Sequence, residues 1–334
     1  MMTTLCRRYM KCVAQQNTLK LSSRSLVVVF VAAFILVNML LLHWMKFDND
    51  ENPSENEWNS FQRKMYRPDI RVHIDSELRR HIDVDKFETL RSIISSLGLS
   101  ANQTIVPYDV NIDRRKNISR KATCAIVGSS GILTGSGCGY EIDQHQFVIR
   151  ENLAKTDNFE YDVGNRTDLM TSNKALTQVL DHCLRGREID CYLEYRDRLV
   201  ALNNVYFLII TFRDWGNSDQ KRFVKFIRRA RNENLSLDIR IPNKPIKSII
   251  KALWSLKNDT SSGLMIFTIA TTFCDKISLY GFYPFDTSPT GERLRNHYYN
   301  YGSWKGVHDM KKEYRLYQKL HKEGIIRHVV GRCR

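Results

Sequence analysis

The chain lacks the two commonest phosphate-binding fingerprints: its glycines follow neither G-x-G-x-x-G nor G-x-x-x-x-G-K-[ST]. The Rossmann and P-loop fingerprints therefore both fail. It has no zinc-finger spacing, no C-x-x-C pair and no Cys/His cluster, so no nucleic-acid module and no structural metal site is legible. Acidic residues are scarce, 36 against 51 Lys and Arg, for a formal net charge of +15. That balance favours an anionic partner, whether nucleic acid, acidic lipid or acidic substrate, without choosing among them. At 334 residues there is room for one large domain with a full core plus appendages.

What is present begins with an unbroken apolar run. Residues 1–24 hold Arg7, Arg8, Lys11, Lys20 and Arg24 and no acid, and Leu26 to Leu42 is apolar apart from Asn38. That run spans roughly 26 Å as a helix, near the lower limit for crossing a bilayer. It is too long for a signal-peptide core and no small-x-small cleavage site accompanies it. With Asp48, Asp50 and Glu51 beyond it, the charge pattern places the N-terminus in the cytosol. We therefore expect a cytosolic tail (1–24), a single transmembrane signal anchor (25–45), a stem (46–85) and a lumenal domain (86–334). A short span suits the early secretory pathway. Glycosylation triplets at Asn102, Asn117, Asn165, Asn234 and Asn258 all fall on the lumenal side. So do six of the eight cysteines, where disulfides persist. Cys183 and Cys191 suit a local pair, while Cys6 and Cys12 are expected reduced or palmitoylated.

The organising stretch runs from Cys124 to Leu153. A buried-strand pattern at Thr123 to Val127 leads into Gly128-Ser129-Ser130-Gly131, and Phe147 to Ile149 leads into Arg150 and Asn152. A glycine-rich turn after a strand lets backbone N–H groups approach an anion; a plain tight turn is the competing reading. Further on, Asn204–Phe212, Leu237–Ile241 and Lys276–Tyr280 read as strands. Lys86–Leu97, Lys221–Arg231, Ile246–Leu256 and a segment opening at Ser261/Ser262 read as helices. The alternation predicts an α/β parallel sheet with ligand at the strands' C-terminal ends. The basic face of Lys221–Arg231 reads either as a solvated scaffold face or as a track for a polyanion.

Four blocks in order resemble the eukaryotic sialyltransferases, and most of all their α2,8 (poly)sialyltransferase branch. Cys124–Leu153 is similar to the large sialyl motif and Ser261 through Phe282 to the small one. His297-Tyr298-Tyr299-Asn300 resembles the third motif, and His308 with Glu313 the very small H-x-x-x-x-E motif. The resemblance covers about the last two-thirds of the chain. It implies a Rossmann-like GT-A-variant domain with a central, mainly parallel sheet flanked by helices. It also implies bridges Cys124–Cys274 and Cys138–Cys333, and residence in the Golgi membrane as a single-pass type II protein. The implied donor is CMP-sialic acid and the implied acceptor a sialylated glycan, with no nucleic acid and with a homodimer as the assembly to consider.

Sialyl transfer needs a base for the acceptor hydroxyl and a donor for the departing phosphate. Histidine titrates near working pH without help. By motif position His308 is the expected base and His297 the phosphate donor, helped by Tyr298 or Tyr299. Ser129, Ser130, Asn152, Ser261, Ser262 and Gly263, with Tyr283 and Tyr298, are carried over as substrate contacts, and Glu313 as structural. No metal or other cofactor is expected. Asp48-Asn49-Asp50 abuts the membrane, Asp83-Val84-Asp85 lies ahead of the core strands, and a monophosphate leaves with less charge than a diphosphate. The chain departs from the family at Ser129 (usually Asn), Thr260 (Pro), Tyr283 (Trp) and Asn300 (Asp), and at Glu151, where many members have Arg-Cys-Asn. The expected reaction is an inverting single displacement forming an α2,8 linkage. The rivals are α2,3 or α2,6 transfer to Gal or GalNAc, and a catalytically silent sialoglycan-binding homologue.

Overall fold

Apolar runs without polar alternation need cover on both faces, and the chain supplies it. In the computed structural model, residues 74–99, 118–300 and 308–333 are described. The cytosolic tail, the anchor, most of the stem, Asn102 and Asn117 lie outside them. No described helix is long and apolar enough to cross a membrane. Seven strands, β1 (Cys124–Val127), β2 (Phe147–Glu151), β3 (Leu169–Ser172), β4 (Tyr206–Ile209), β5 (Asp238–Arg240), β6 (Ile277–Tyr280) and β7 (Arg327–Val329), form one sheet. Its order is β5-β4-β3-β2-β1-β6-β7 and every neighbouring pair is parallel.

The helices, in chain order, are α1 (Ile74–His81), α2 (Val84–Ser96), α3 (Gly139–Asp143), α4 (Glu160–Val163), α5 (Lys174–Cys183), α6 (Ile189–Val200), α7 (Asn217–Asn232), α8 (Lys247–Leu253), α9 (Ser262–Ala270) and α10 (Met310–Lys322). Strand residues alternate between layers. Cys124, Ile126, Phe147, Ile149 and Leu279 pack with α1, α2, α9 and α10. Ala125, Val127, Val148 and Tyr280 face the opposite way, toward Ile142 and Val163. Farther along the sheet, Phe207 and Ile209 meet Phe223, Phe226, Ile227 and Ala230 of α7, the face its sequence period predicts. From Gly263 onward α9 is buried at every residue, which fits an apolar helix squeezed between neighbours.

The strand order places the site. The chain steps outward from β1 to β5, then returns to the other side of β1 for β6 and β7. That reversal opens a crevice beyond the C-terminal ends of β1 and β6, where α/β sheets bind ligands.

Three details differ from expectation. Ile74, Leu78 and Ile82 sit in the main core, so packing begins upstream of the expected boundary at 86. The α1 segment is amphipathic but too short to stand out against polar neighbours. The helix expected over Lys86–Leu97 begins at Val84, still ahead of β1: Asp83 caps α2, accepting from the Lys86 N–H at 3.2 Å. The expected strand Asn204–Phe212 is shorter, because Phe212–Asp214 turns into a single 3-10 turn.

Three disulfides join Cys124 to Cys274, Cys138 to Cys333 and Cys183 to Cys191, with Cα separations of 5.9, 4.9 and 5.2 Å. The first fastens the segment after α9 to the start of β1; the second fastens the C-terminus beside α3. Each closes a long loop, so much of its stabilisation comes from restricting the unfolded chain. The double substitution Cys124→Ala/Cys274→Ala is expected to lower stability by about 2–5 kcal/mol. A thermal melt checks this, and an unchanged midpoint would show that the bridge constrains nothing of consequence.

Candidate active site

Two backbone hydrogen bonds frame the crevice. The Gly128 N–H donates to the Tyr280 carbonyl at 2.8 Å, and the Ser130 N–H to that of Gly281 at 3.2 Å. The turns after β1 and β6 are thereby lashed together. A Cβ on Gly128 would stand 2.7 Å from the Gly281 oxygen, and Gly281 itself has φ 72°, so both positions require glycine. The Ser130 hydroxyl adds a third clasp, donating to the Tyr283 carbonyl at 2.7 Å. At the end of β2, Asn152 adopts φ 52°, and its Oδ1 accepts from the Asn173 N–H at 3.1 Å.

These elements wall a cleft of about 410 Å³, large enough for a nucleotide. It is lined by Ser129, Ser130, Asn152, Ser261, Ser262, Gly263, Tyr283, His297, His308 and Glu313. The two glycine-bearing turns and both histidines thus share one crevice. Ser261 caps α9, accepting from the Leu264 N–H at 3.1 Å. The opening N–H groups of that helix, at Ser262 and Gly263, are oriented as in an anion site.

One expected contact and one further residue of the large-motif match lie elsewhere. Tyr298 is in the core, 1% exposed, with its ring edge-on to Phe159 and its hydroxyl donating to the Lys155 carbonyl. It supports the wall from behind and does not line the cleft, because the backbone that brings His297 forward turns the next side chain inward. Arg150 points to the opposite layer, fully buried, its Nε donating to Arg166 O at 2.9 Å and Thr167 Oγ1 at 3.1 Å. The alternation of β2 dictates this: if Arg150 faces away, Glu151 faces α9 and α10.

The histidines differ in what holds them. His308 Nδ1 lies 2.9 Å from the Asp259 carbonyl oxygen. A carbonyl only accepts, so Nδ1 carries a hydrogen, and in the neutral ring the lone pair is on Nε2. Asp309 then caps α10 through the Lys312 N–H at 3.1 Å. His297 Nδ1 pairs with Asn300 Oδ1 at 3.0 Å, and its ring stacks on Tyr299. Burial lowers its pKa and the Asn300 bond partly opposes that. An anion beside it would favour the protonated, doubly donating form.

Beneath them lie two carboxyls. Glu313, 2% exposed, accepts from the Ser261 N–H at 2.9 Å and from the Ser261 hydroxyl. It ties α10 to the N-terminus of α9, a structural role as the motif resemblance implies. The other is Glu151, which sequence reasoning treated only as a departure from the family pattern. Its Oε1 is buried with no hydrogen-bond partner, and burial, reinforced by Glu313, pushes its pKa up to about 8. Its one sequence signal was an acid at the end of an otherwise buried strand. Phe282, the last residue of the small-motif match, also lines the cleft, as do Asn173, Tyr314 and Tyr317, which carry no motif signal of their own.

Away from the cleft, a groove of about 500 Å³ runs along α7 between Phe212 and Arg228. It shares no lining residue with the cleft. Lys221, Arg222, Lys225 and Arg228 are exposed there, while Arg229 pairs with Asp181. The triplet residues Asn165, Asn234 and Asn258 are exposed as well. Among the described residues no three His, Cys, Asp or Glu side chains gather as they would around a metal ion.

A parallel sheet with a hydroxyl- and glycine-lined crevice at its switch point defines a ligand-binding α/β protein. Residues 74–325 match the model of glycosyltransferase family 29 (sialyltransferase), and the chain belongs to that family. It is similar at 21% identity and TM-score 0.45 to a mammalian sialyltransferase, with 84% of this chain and 86% of that one covered. The same values hold for a mammalian sialyltransferase in complex with Gal-beta-1-3GalNAc-ortho-nitrophenol, of which 97% is covered.

The raised Glu151 carboxyl fixes the sign of a stability effect. Its folded value lies above the unfolded one, so folding takes up a proton. Its contribution is complete below the ordinary carboxylate range and is lost as pH rises through about 8. The melting temperature of the wild type relative to Glu151→Gln is therefore expected to fall between pH 5 and pH 9. Parallel curves for the two proteins would refute the assignment.

Proposed function

We propose that the protein transfers sialic acid from CMP-sialic acid to a sialylated glycan, forming an α2,8 linkage by single displacement with inversion, with His308 as general base. The observation that carries this reading is the His308–Asp259 contact, which engages Nδ1 and leaves Nε2 as the ring nitrogen available to accept a proton in the cleft. In the proposed step the acceptor O–H gives its proton to Nε2 as the oxygen bonds to the anomeric carbon. The bond from that carbon to the phosphate oxygen breaks, and cytidine monophosphate leaves. Charge grows on the departing phosphate, where His297 and the N–H groups opening α9 are placed to receive it. Because the leaving group is a monophosphate, we propose that no metal takes part.

The α2,8 assignment draws on the motif resemblance and on the Cys138–Cys333 bridge, the pairing implied by that branch. A lumenal domain held in the Golgi membrane by a type II anchor accounts for the apolar run at 26–42, the exposed glycosylation triplets and the disulfides together.

Labelled donor offered with a panel of glycans, followed by linkage analysis, tests the reading. Transfer onto terminal sialic acid is expected; transfer only to Gal or GalNAc would replace the linkage. His308→Ala is expected to lower kcat by roughly 10²–10⁴-fold while CMP binding persists. Near-normal turnover by that variant would remove His308 from the base role.

A further inference from the structure

Glu151 ends β2 on the layer of Phe147 and Ile149, and so runs toward α9 and α10. Its Oε1 is out of solvent, has no hydrogen-bond partner and lies 3.1 Å from where a Cβ on Gly263 would stand. From α10 the Tyr317 hydroxyl, equally buried and equally without a partner, lines the same cleft. Native interiors rarely leave such atoms unmatched, and each one calls for an explanation. Here both sit on the floor of a crevice built for a polar ligand. At Gly263 the Phe282 ring, 2.6 Å from the Cβ position, and the Glu151 carboxyl leave no room for a side chain, so the carboxyl lies close against the opening turn of α9.

Resting on the reading that the cleft holds a cytidine nucleotide, we propose that Glu151 is a nucleoside-selecting residue. From the cleft wall, its unmatched Oε1 engages a polar group of the donor nucleoside, either a ribose hydroxyl or the exocyclic amine of the base. The side chain suits this role in its protonated form, which donates from one oxygen and accepts at the other. An ionised carboxylate would instead place negative charge near the phosphate and the carboxylate of the donor sugar. Burial and the facing Glu313 keep the proton on Glu151 up to about pH 8. The other titratable groups that act in this corner are Tyr317 from α10 and Tyr299 from the segment before it.

The test measures calorimetric binding of CMP, 2′-deoxy-CMP and UMP to the full chain at pH 6.5 and pH 9. It compares the wild type with Glu151→Gln and Glu151→Met. Wild-type affinity for CMP is expected to weaken above pH 8, by up to about tenfold per pH unit. Glu151→Gln should match the wild type at pH 6.5 and lose that pH dependence. Glu151→Met should bind CMP roughly three- to tenfold more weakly at pH 6.5. Loss of its preference for CMP over UMP assigns the base amine; loss of its preference over 2′-deoxy-CMP assigns the ribose. If Glu151→Met keeps wild-type affinities and preferences, or Glu151→Gln keeps the wild-type pH profile, Glu151 has no such role. If the wild type binds none of the three, the nucleotide reading of the cleft itself fails.

Discussion

The site depends on two backbone hydrogen bonds that draw the turn after β1 against the turn after β6. Parallel strands bring their C-terminal ends to one edge but do not decide how closely the following loops approach. Gly128 and Gly281 decide that, since a side chain at either would part the turns. With the turns joined, the Ser130 hydroxyl reaches the Tyr283 carbonyl, and the aromatic segment after β6 is pinned over the crevice. The Cys124–Cys274 bridge acts one layer deeper, holding the segment after α9 to the start of β1. The N-terminus of α9 and the β1 turn therefore belong to one rigid wall, and a ligand touching both pays little for ordering them.

On that wall the electrostatics divide into two levels. The upper level offers donors: the N–H groups opening α9 and the two imidazoles. The lower level holds Glu313 and Glu151, which would repel an anion if both were ionised. Glu313 spends its acceptors on Ser261, so its charge stabilises the helix cap while leaving the helix N–H groups above free for ligand. Glu151 has no such partner and stays protonated into mildly alkaline conditions. The two carboxyls beneath the cleft thus differ: one is hydrogen-bonded to Ser261, and burial holds the proton on the other.

Much of this was legible in the sequence, and the reasons are physical. The continuous apolar strands could lie only in a sheet covered on both faces, and the alternation of elements argued a parallel one. Ser261 and Asp309 announced helix starts through capping chemistry. What was not legible was direction. Tyr298 is carried over as a ligand contact and Arg150 stands two residues from Asn152, but a backbone turn and strand alternation send both inward. Glu151 was hidden for the same reason, as its significance lies in facing Glu313, a residue distant in sequence. The α1 segment was absorbed into the stem because only its contacts with distant strands show it to be core.

The departures from the family pattern are coupled through the cleft rather than scattered. Where the family usually has Asp, Asn300 gives His297 a neutral partner. An imidazole beside an amide holds a proton less firmly than one beside a carboxylate, so His297 depends more on the ligand's own charge to become a double donor. Glu151 places an ionisable group where many members have a thiol, and as long as it stays protonated it adds no negative charge to oppose that dependence. Ser129 replaces an amide with a shorter hydroxyl on the turn after β1. Of the three changes only the one at Asn300 removes a charged group, and the backbone frame of the cleft keeps the glycines that close it.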